Sequence, residues 1–450
     1  MDDARPYRDA INQLNLGSSL PDPFSTFEFY DNIMSTLAAS QVRTNPRLWL
    51  LLAFDADQLV GYLPLKECVH RVLGMRSVKL DLLTAYRADR PHLVTDIDRA
   101  SEVSRAIYDY LLSRKAEWSL LEFEQQNSRS ALWSPPPIMA RSCDILHWPN
   151  MANSTVTVRW SSMALYFAAL SKKFRSNVSR QMRSLLAAGE VELISASDPR
   201  ALLPLFELYC DIEANSWKSR SETAFSSDRQ WIAYYQGLMR PDQPMPITIQ
   251  ILLLDGLPIA GFITGAFKRD LYALHVVYDE RLSKLAPGSA ILLMGMRLAV
   301  DGGYGHFNLM HGFGYYKSRW LADMSETESL QFYRIGSAYY WKRKLGDARR
   351  RWSGHAPGGE PVLFNAAKRD ADSVTAPDDN ASLPFTSRPQ ATPRHCVLAD
   401  EARRYPGTFL SGTQLATILP FEARRPTAAV AEMAAQIFPT SSYMPRHPSA

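Results

Sequence analysis

Cysteine is scarce in this chain, and the four present stand far apart. Cys68, Cys143, Cys210 and Cys396 show no paired spacing. That argues against a zinc site and a disulfide framework and suits a reducing cytoplasm. Long apolar runs are missing too. LWLLLAF near the start is far short of the roughly 20 residues a membrane-spanning helix needs, so no transmembrane segment is expected. The opening MDDARPYRDAINQ is acidic and polar, unlike a secretory leader. Neither sign of charge dominates: a net charge of +4 is too weak to imply nucleic acid as a partner. There is no H-E-x-x-H, no G-x-S-x-G and no G-x-x-x-x-G-K-[ST], which removes three common routes to metal, serine and nucleotide chemistry. His306 and His311 are five residues apart. On a strand that odd separation puts them on opposite faces, so no metal is expected. The 46% hydrophobic and 21% charged content is that of a globular protein.

What is present is a short element written twice. FDADQLVGY (54–62) and LDGLPIAGF (254–262) align Asp55 with Asp255 and Gly61 with Gly261. Each is an apolar run, a turn of Asp and Gly type and a second apolar run, the pattern of a β-hairpin. The contexts repeat as well. SVKLDLL (77–83), SEVSRAIYDYLLSRK (101–115) and WSLLEF (118–123) follow the first copy. LYALHVVY (271–278), SAILLMGMRLAVDGG (289–303) and HFNLM (306–310) follow the second. The chain reads as a duplicated unit of hairpin, strand, helix, strand, with GGYG at 302–305 as a helix end and turn.

The tail differs in kind. Residues 353–450 hold twelve of the twenty-nine prolines, a composition that builds no core. A short helical segment is predicted at 428–438, AAVAEMAAQIF. The predicted division is 24–150, 151–352 and a mostly disordered tail from 353.

The second copy carries the more informative junction. In VVYDERLSKLAPGSAILLMGM (276–296) a strand ends near Tyr278, a polar loop follows, and Pro287-Gly288-Ser289 opens an apolar helix. Free backbone N–H groups and the helix dipole at such a start favour an anion. An ordinary helix start reads the same way. The first copy, TAYRADRPHLVTDIDRA, has no glycine at this point.

Hairpin, strand, phosphate loop, helix, strand resembles the GNAT N-acetyltransferase fold. The tandem arrangement with one degenerate copy resembles the FemAB-like double-GNAT proteins and, more narrowly, the CelD-type acetyltransferases of cellulose and exopolysaccharide biosynthesis. The stretches that carry the likeness are YFAALSKKFRSNVSRQMRSLLAAGEVEL (166–193), YDERLSKLAPGSAILL (278–293) and FNLMHGFGYYKSRW (307–320). The resemblance implies an α/β (α+β) fold of tandem GNAT-like domains, each a twisted mixed sheet flanked by helices. It implies acetyl-CoA as acyl donor, with its pyrophosphate on Leu285, Ala286, Pro287, Gly288, Ser289 and Ala290, and an amino group of a sugar or surface-polysaccharide precursor as acceptor. Where Asn308 stands, the family often carries an acidic residue.

Candidate site residues follow. His275, mid-strand, is a general base candidate near neutral pH; a packed histidine is the commoner reading of such a position. Tyr278 and Asp279 stand at the strand end, where the resemblance implies that the leaving thiolate is protonated. Glu213 and Trp217, at i and i+4, are expected on one helix face, and the resemblance implies that this face lies near the acceptor. Lys317 is a candidate for an anionic acceptor or carboxylate. In LSKKFRSNVSRQMR, Leu170, Phe174 and Val178 make a buried stripe. Lys172, Lys173, Arg175, Arg180 and Arg183 make a cationic outer face that suits an anionic polymer or surface. Two alternatives stand beside the acyltransferase: an aminoacyl-tRNA-dependent FemAB-like transferase and a non-catalytic double-GNAT scaffold.

Overall fold

The computed structural model describes residues 1–39, 47–84, 91–150, 152–220, 224, 228–312 and 315–352. The predicted segment at 428–438, like the rest of the tail, lies outside these residues. So does part of the first copy's loop, residues 85–90.

Two helices open the chain, α1 (Arg8–Gly17) and α2 (Phe27–Ala39). Then come β1 (Arg47–Asp55), β2 (Gln58–Val72), β3 (Met75–Leu82), β4 (Val94–Thr95), α3 (Ala100–Ser113), β5 (Leu120–Gln126), α4 (Pro137–Ser142) and β6 (Cys143–Pro149). The second half runs β7 (Asn153–Thr157), α5 (Met163–Ala169), α6 (Lys172–Ala188), β8 (Val191–Ala196), α7 (Pro199–Ala214), α8 (Arg229–Leu238), β9 (Ile247–Leu254), β10 (Leu257–Phe267), β11 (Asp270–Tyr278), α9 (Pro287–Asp301), β12 (His306–His311), α10 (Tyr315–Arg319) and β13 (Asp323–Ser325). It ends with β14 (Glu328–Arg334) and α11 (Ala338–Trp352).

The strands form two mixed sheets, ordered β1-β2-β3-β5-β14-β6 with β4 on β2, and β13-β7-β12-β11-β10-β9-β8. Both copies of the repeat are present. In each, an antiparallel hairpin (β1–β2, β9–β10) leads to an antiparallel strand (β3, β11). A helix (α3, α9) then crosses to a parallel strand (β5, β12). The parallel pairing and the long crossover belong together, because parallel neighbours cannot be joined by a tight turn.

Sheet membership crosses the expected boundary at residue 150. β14, from the end of the chain, lies between β5 and β6 of the first sheet. β7, from the start of the second half, occupies the matching place beside β12. The strand completing each sheet comes from beyond its repeat, and the pattern of a single unit does not reveal that exchange. The N-terminal helices also join the far half: Phe24, Phe27, Phe29 and Ile33 share one core with Tyr209, Tyr234, Tyr235 and Tyr272.

The two hairpins are out of step by one residue. A Cβ on Gly61 would stand 2.3 Å from Val103 of α3, whereas one on Gly261 would stand 2.5 Å from Tyr209 of α7. The two glycines therefore face opposite sides of their sheets, since a slip of one residue in a strand reverses every side chain. Each lets a helix approach closely, but not the corresponding helix.

The basic stretch folds as α6, capped by the Ser171 hydroxyl, which accepts from the Phe174 N–H at 3.3 Å. Leu170, Phe174, Val178 and Met182 are buried, while Lys172, Lys173, Arg180 and Arg183 are exposed. Among the described residues no helix is long and apolar enough to cross a membrane.

Candidate active site

Strand β11 is irregular where it matters. Its register against β10 slips between Ile263↔His275 and Thr264↔Ala273, so Leu274 is an extra residue. Such a bulge turns two successive side chains to one face. Leu274 packs into the core shared with α7, and the next residue, His275, faces α7 as well.

The same strand parts from its other neighbour. β11 and β12 pair only at Asp270↔His306, Leu271↔Phe307 and Tyr272↔Asn308. Beyond that point the two strands diverge. The Asp279 N–H bonds the Ile259 carbonyl at 2.8 Å, so residues 275, 277 and 279 turn their backbone groups toward β10. By the alternation of an antiparallel pair, Val276 and Tyr278 turn theirs to the side β12 has left. Asn308 supports the divergence on its side. Its carboxamide oxygen accepts from the Met310 N–H at 2.9 Å. It thereby holds Met310 at a left-handed φ of 62°, where β12 slips against β7.

At this opening lies a buried polar cluster. His275 is 2% exposed. Its Nδ1 is 2.6 Å from the Tyr209 hydroxyl and its Nε2 is 2.7 Å from Lys218 Nζ. Lys218 Nζ also donates to the Val276 carbonyl at 2.7 Å, which places the amine where β11 faces the gap. Glu213, fully buried, brings Oε1 to 3.8 Å from His275 Nε2. An ammonium only donates. With Lys218 charged, His275 is therefore neutral, its Nε2 accepts, and its ring proton lies on Nδ1 toward Tyr209. Glu213, in the same buried cluster through His275, adds a negative charge that favours a cation there.

The helix start is as sharp as its residues require. Ala286 adopts the left-handed conformation, φ 53° and ψ 47°, and Pro287 is the first residue of α9. Pro287 has no N–H. Ser289 and Ala290 turn theirs back to the Ala286 carbonyl at 3.0 and 3.2 Å. Within the first turn this leaves the Gly288 amide to face outward. Gly288 is required for a second reason: a Cβ there would meet Tyr278 Cδ1 at 2.8 Å. Burial, then the nearby Glu280 carboxylate, raises the Tyr278 phenol above its ordinary range.

The sequence-predicted residues therefore divide. His275 and Glu213 are brought together, and Tyr278 stands against the α9 start. Asp279 caps the turn at Glu280–Leu285 through the Arg281 N–H at 2.9 Å and pairs with the Arg281 guanidinium at 2.5 Å. It is committed to chain geometry. Trp217 does not share a helix face with Glu213, because α7 ends at Ala214 and Trp217 begins a separate 3-10 turn. Its neighbour Lys218 makes the contact instead. Lys317 is not set out toward solvent as a ligand contact. Its ammonium donates to the carbonyls of Met310, His311 and Gly312 at 3.0, 3.1 and 3.2 Å, and so fastens the end of β12. Lys218 and Tyr209 were missed, although Tyr209 and Glu213 lie four apart on α7, a spacing that marks one helix face. Burial pushes the Cys143 and Cys210 thiols up to about 12, which leaves them protonated and unsuited as nucleophiles. No group of three His, Cys, Asp or Glu among the described residues is arranged to hold a metal.

Comparison with known proteins agrees with this arrangement. Residues 172–318 match the family described as Acetyltransferase (GNAT) domain. The chain is similar in structure to FemX at 9% identity, covering 74% of this chain and 98% of that one, with a TM-score of 0.51. Weaker likenesses include L-PGS from Bacillus licheniformis, at 12% identity, 75% and 96% coverage and a TM-score of 0.44. Another is a tandem GNAT protein from the clavulanic acid biosynthesis pathway, at 12% identity, 69% and 94% coverage and a TM-score of 0.38. No curated protein matches the sequence. The matched segment contains the bulged strand, the cluster around His275 and the Pro-Gly helix start, so this part of the chain is similar to a GNAT acetyltransferase domain, which supports a transferase.

Proposed function

We propose that the protein is an acyl-CoA-dependent N-acyltransferase, with acetyl-CoA as donor and an amino sugar or surface-polysaccharide precursor as acceptor. The CelD-like stretches favour that acceptor class and a cytoplasmic setting. The observation that carries the reading is the parting of β11 from β12, with Lys218 bonded to the Val276 carbonyl at the opening. Bound there, acetyl-CoA supplies the thioester carbonyl that an acceptor amine attacks. The residues present fit it: the outward Gly288 amide and the dipole of α9 suit a pyrophosphate between Leu285 and Ala290.

The chain's own groups then have distinct tasks. The Val276 N–H, turned to the gap, donates to the oxygen on which negative charge develops. Lys218, in its neutral form, takes the proton that the acceptor ammonium must lose before its nitrogen can attack. His275 steadies that amine through Nε2, and Tyr209 holds the ring from the other side. Glu213 offsets the positive charge when Lys218 is protonated. The Tyr278 hydroxyl, kept protonated by burial, gives its proton to the leaving sulfur and is reprotonated, through solvent, by the second proton that the attacking nitrogen loses as the amide forms. In this scheme His275 is a positioning residue, because both ring nitrogens are already engaged.

The test is acetyl transfer from acetyl-CoA to a panel of amino sugars, following free thiol release. Transfer by the wild type, lost in Lys218→Met, supports the reading. Absence of transfer, together with turnover of aminoacyl-tRNA, would assign the site to the FemAB-like alternative. Inertness toward both donors would leave the scaffold reading.

A further inference from the structure

Helix α11 is turned inside out. An amphipathic helix on a globular protein ordinarily buries its apolar stripe and shows its charges. At 3.6 residues per turn, Trp341, Leu345, Ala348 and Trp352 of α11 fall on one stripe, and that stripe faces outward. Trp341 is 51% exposed, Leu345 58% and Trp352 92%. The polar side faces the first sheet. Arg343 pairs with Asp144 and with Asp347 at 3.2 Å, and its guanidinium lies 5.0 Å from the Tyr333 ring centre. Asp347 also pairs with Arg350 at 2.5 Å, and Tyr339 packs on His70. The exposed cations border the stripe on both sides, Lys342 and Arg349 along one edge and Lys344, which also pairs with Asp144 at 2.7 Å, along the other. Asp347, the helix's one acid, is turned inward.

We propose that α11 docks on an anionic lipid bilayer, lying in the plane of the interface. An apolar stripe carrying tryptophan, flanked by lysine and arginine, matches that surface in both polarity and charge. A second copy of the chain fits less well. Pairing two such stripes sets cations against cations, with no exposed acid on the helix to answer them. The short segment 428–438 carries a single acid, Glu432, against three bordering cations. The helix is far too short to span a bilayer; it attaches the body and does not anchor it irreversibly.

The experiment is co-sedimentation of the full-length protein with vesicles of phosphatidylcholine alone and of phosphatidylcholine mixed with phosphatidylglycerol. The wild type is expected to bind the mixed vesicles, and less so as salt rises. Trp341→Ser with Leu345→Ser and Trp352→Ser should abolish binding. These side chains are exposed, so the thermal midpoint should hold. Lys342→Gln with Arg349→Gln should weaken binding about 25-fold, at roughly fivefold per cation. Equal binding to both vesicle types, or to neither, overturns the proposal. So does a dimer at sedimentation equilibrium that the triple variant dissociates, because the stripe then belongs to a second copy.

Discussion

At the scale of single residues, Lys218 bears the most weight. Lys218→Met should lower kcat by about 10²–10⁴, the usual range for a lost acid–base group. Acetyl-CoA affinity, measured separately, should stay within a few-fold. The substitution also takes a positive charge out of the buried cluster that holds Glu213, and breaking a buried charge pair costs about 3–5 kcal/mol. Lys218→Met with Glu213→Gln should therefore regain stability without regaining activity. Recovery of both would make the pair structural. His275 was legible in the sequence as a histidine in mid-strand, and Glu213 as a carboxylate on a helix face. Lys218 was not, because a lysine beside Trp217 at a helix end reads as surface. Only the fold shows that the chain turns after Ala214 and drives it inward. Gly288 stood out as a phosphate neighbour, but that a Cβ there would meet the Tyr278 ring could not be read from spacing. Gly288→Ala should lower stability, and a Tyr278→Ala background should restore most of the loss, measured by denaturant midpoint.

At the scale of elements, two contacts set testable limits. Helices α2 and α8 meet at Gly237, where a Cβ would lie 1.7 Å from the Asn32 side-chain oxygen. Asn32 in turn donates to the Tyr234 carbonyl at 3.0 Å. Gly237→Val should separate these helices and cost about 1–3 kcal/mol by overpacking, seen as a lower thermal midpoint. Normal stability would mean the helices repack freely. In the first sheet, Lys79 lies 2.8 Å from Asp81 and also pairs with Glu122. Burial, the larger influence, raises the Asp81 carboxyl above its ordinary range despite Lys79. In that raised window the folded state holds more protons than the unfolded one, so this group's contribution to stability falls as pH rises through it. Lys79→Met should sharpen the effect, making the variant gain on the wild type in stability from pH 7 to pH 5. A parallel decline of both proteins would contradict the pairing. The alternating patterns of the β1–β2 and β9–β10 hairpins were plain in the sequence because period and turn chemistry are local. Their one-residue offset was not, because only packing against α3 and α7 distinguishes Gly61 from Gly261.

At the scale of the whole molecule, duplication explains the order of elements but not the assembly. The exchange of β7 and β14 ties the end of the second repeat to the first sheet. Removing residues 328–352 should therefore unfold the first sheet as well as α11. Hydrogen exchange of β5 and β6 in such a truncation would show it, and unchanged protection there would contradict the exchange. No pattern within either copy foretells this, since each of these two strands reads equally well beside either sheet. The central claim is that the second copy binds acyl-CoA at the start of α9. Calorimetric titration of acetyl-CoA into the wild type and Ser289→Asp tests it most directly. An acid at this position favours the helix dipole, so the fold should hold or gain, while the carboxylate repels a pyrophosphate. The expected result is saturable binding by the wild type, weakened at least about tenfold, or 1.4 kcal/mol, in Ser289→Asp at an unchanged or higher thermal midpoint. No heat of binding from the wild type, or equal affinity in the two proteins, would contradict it.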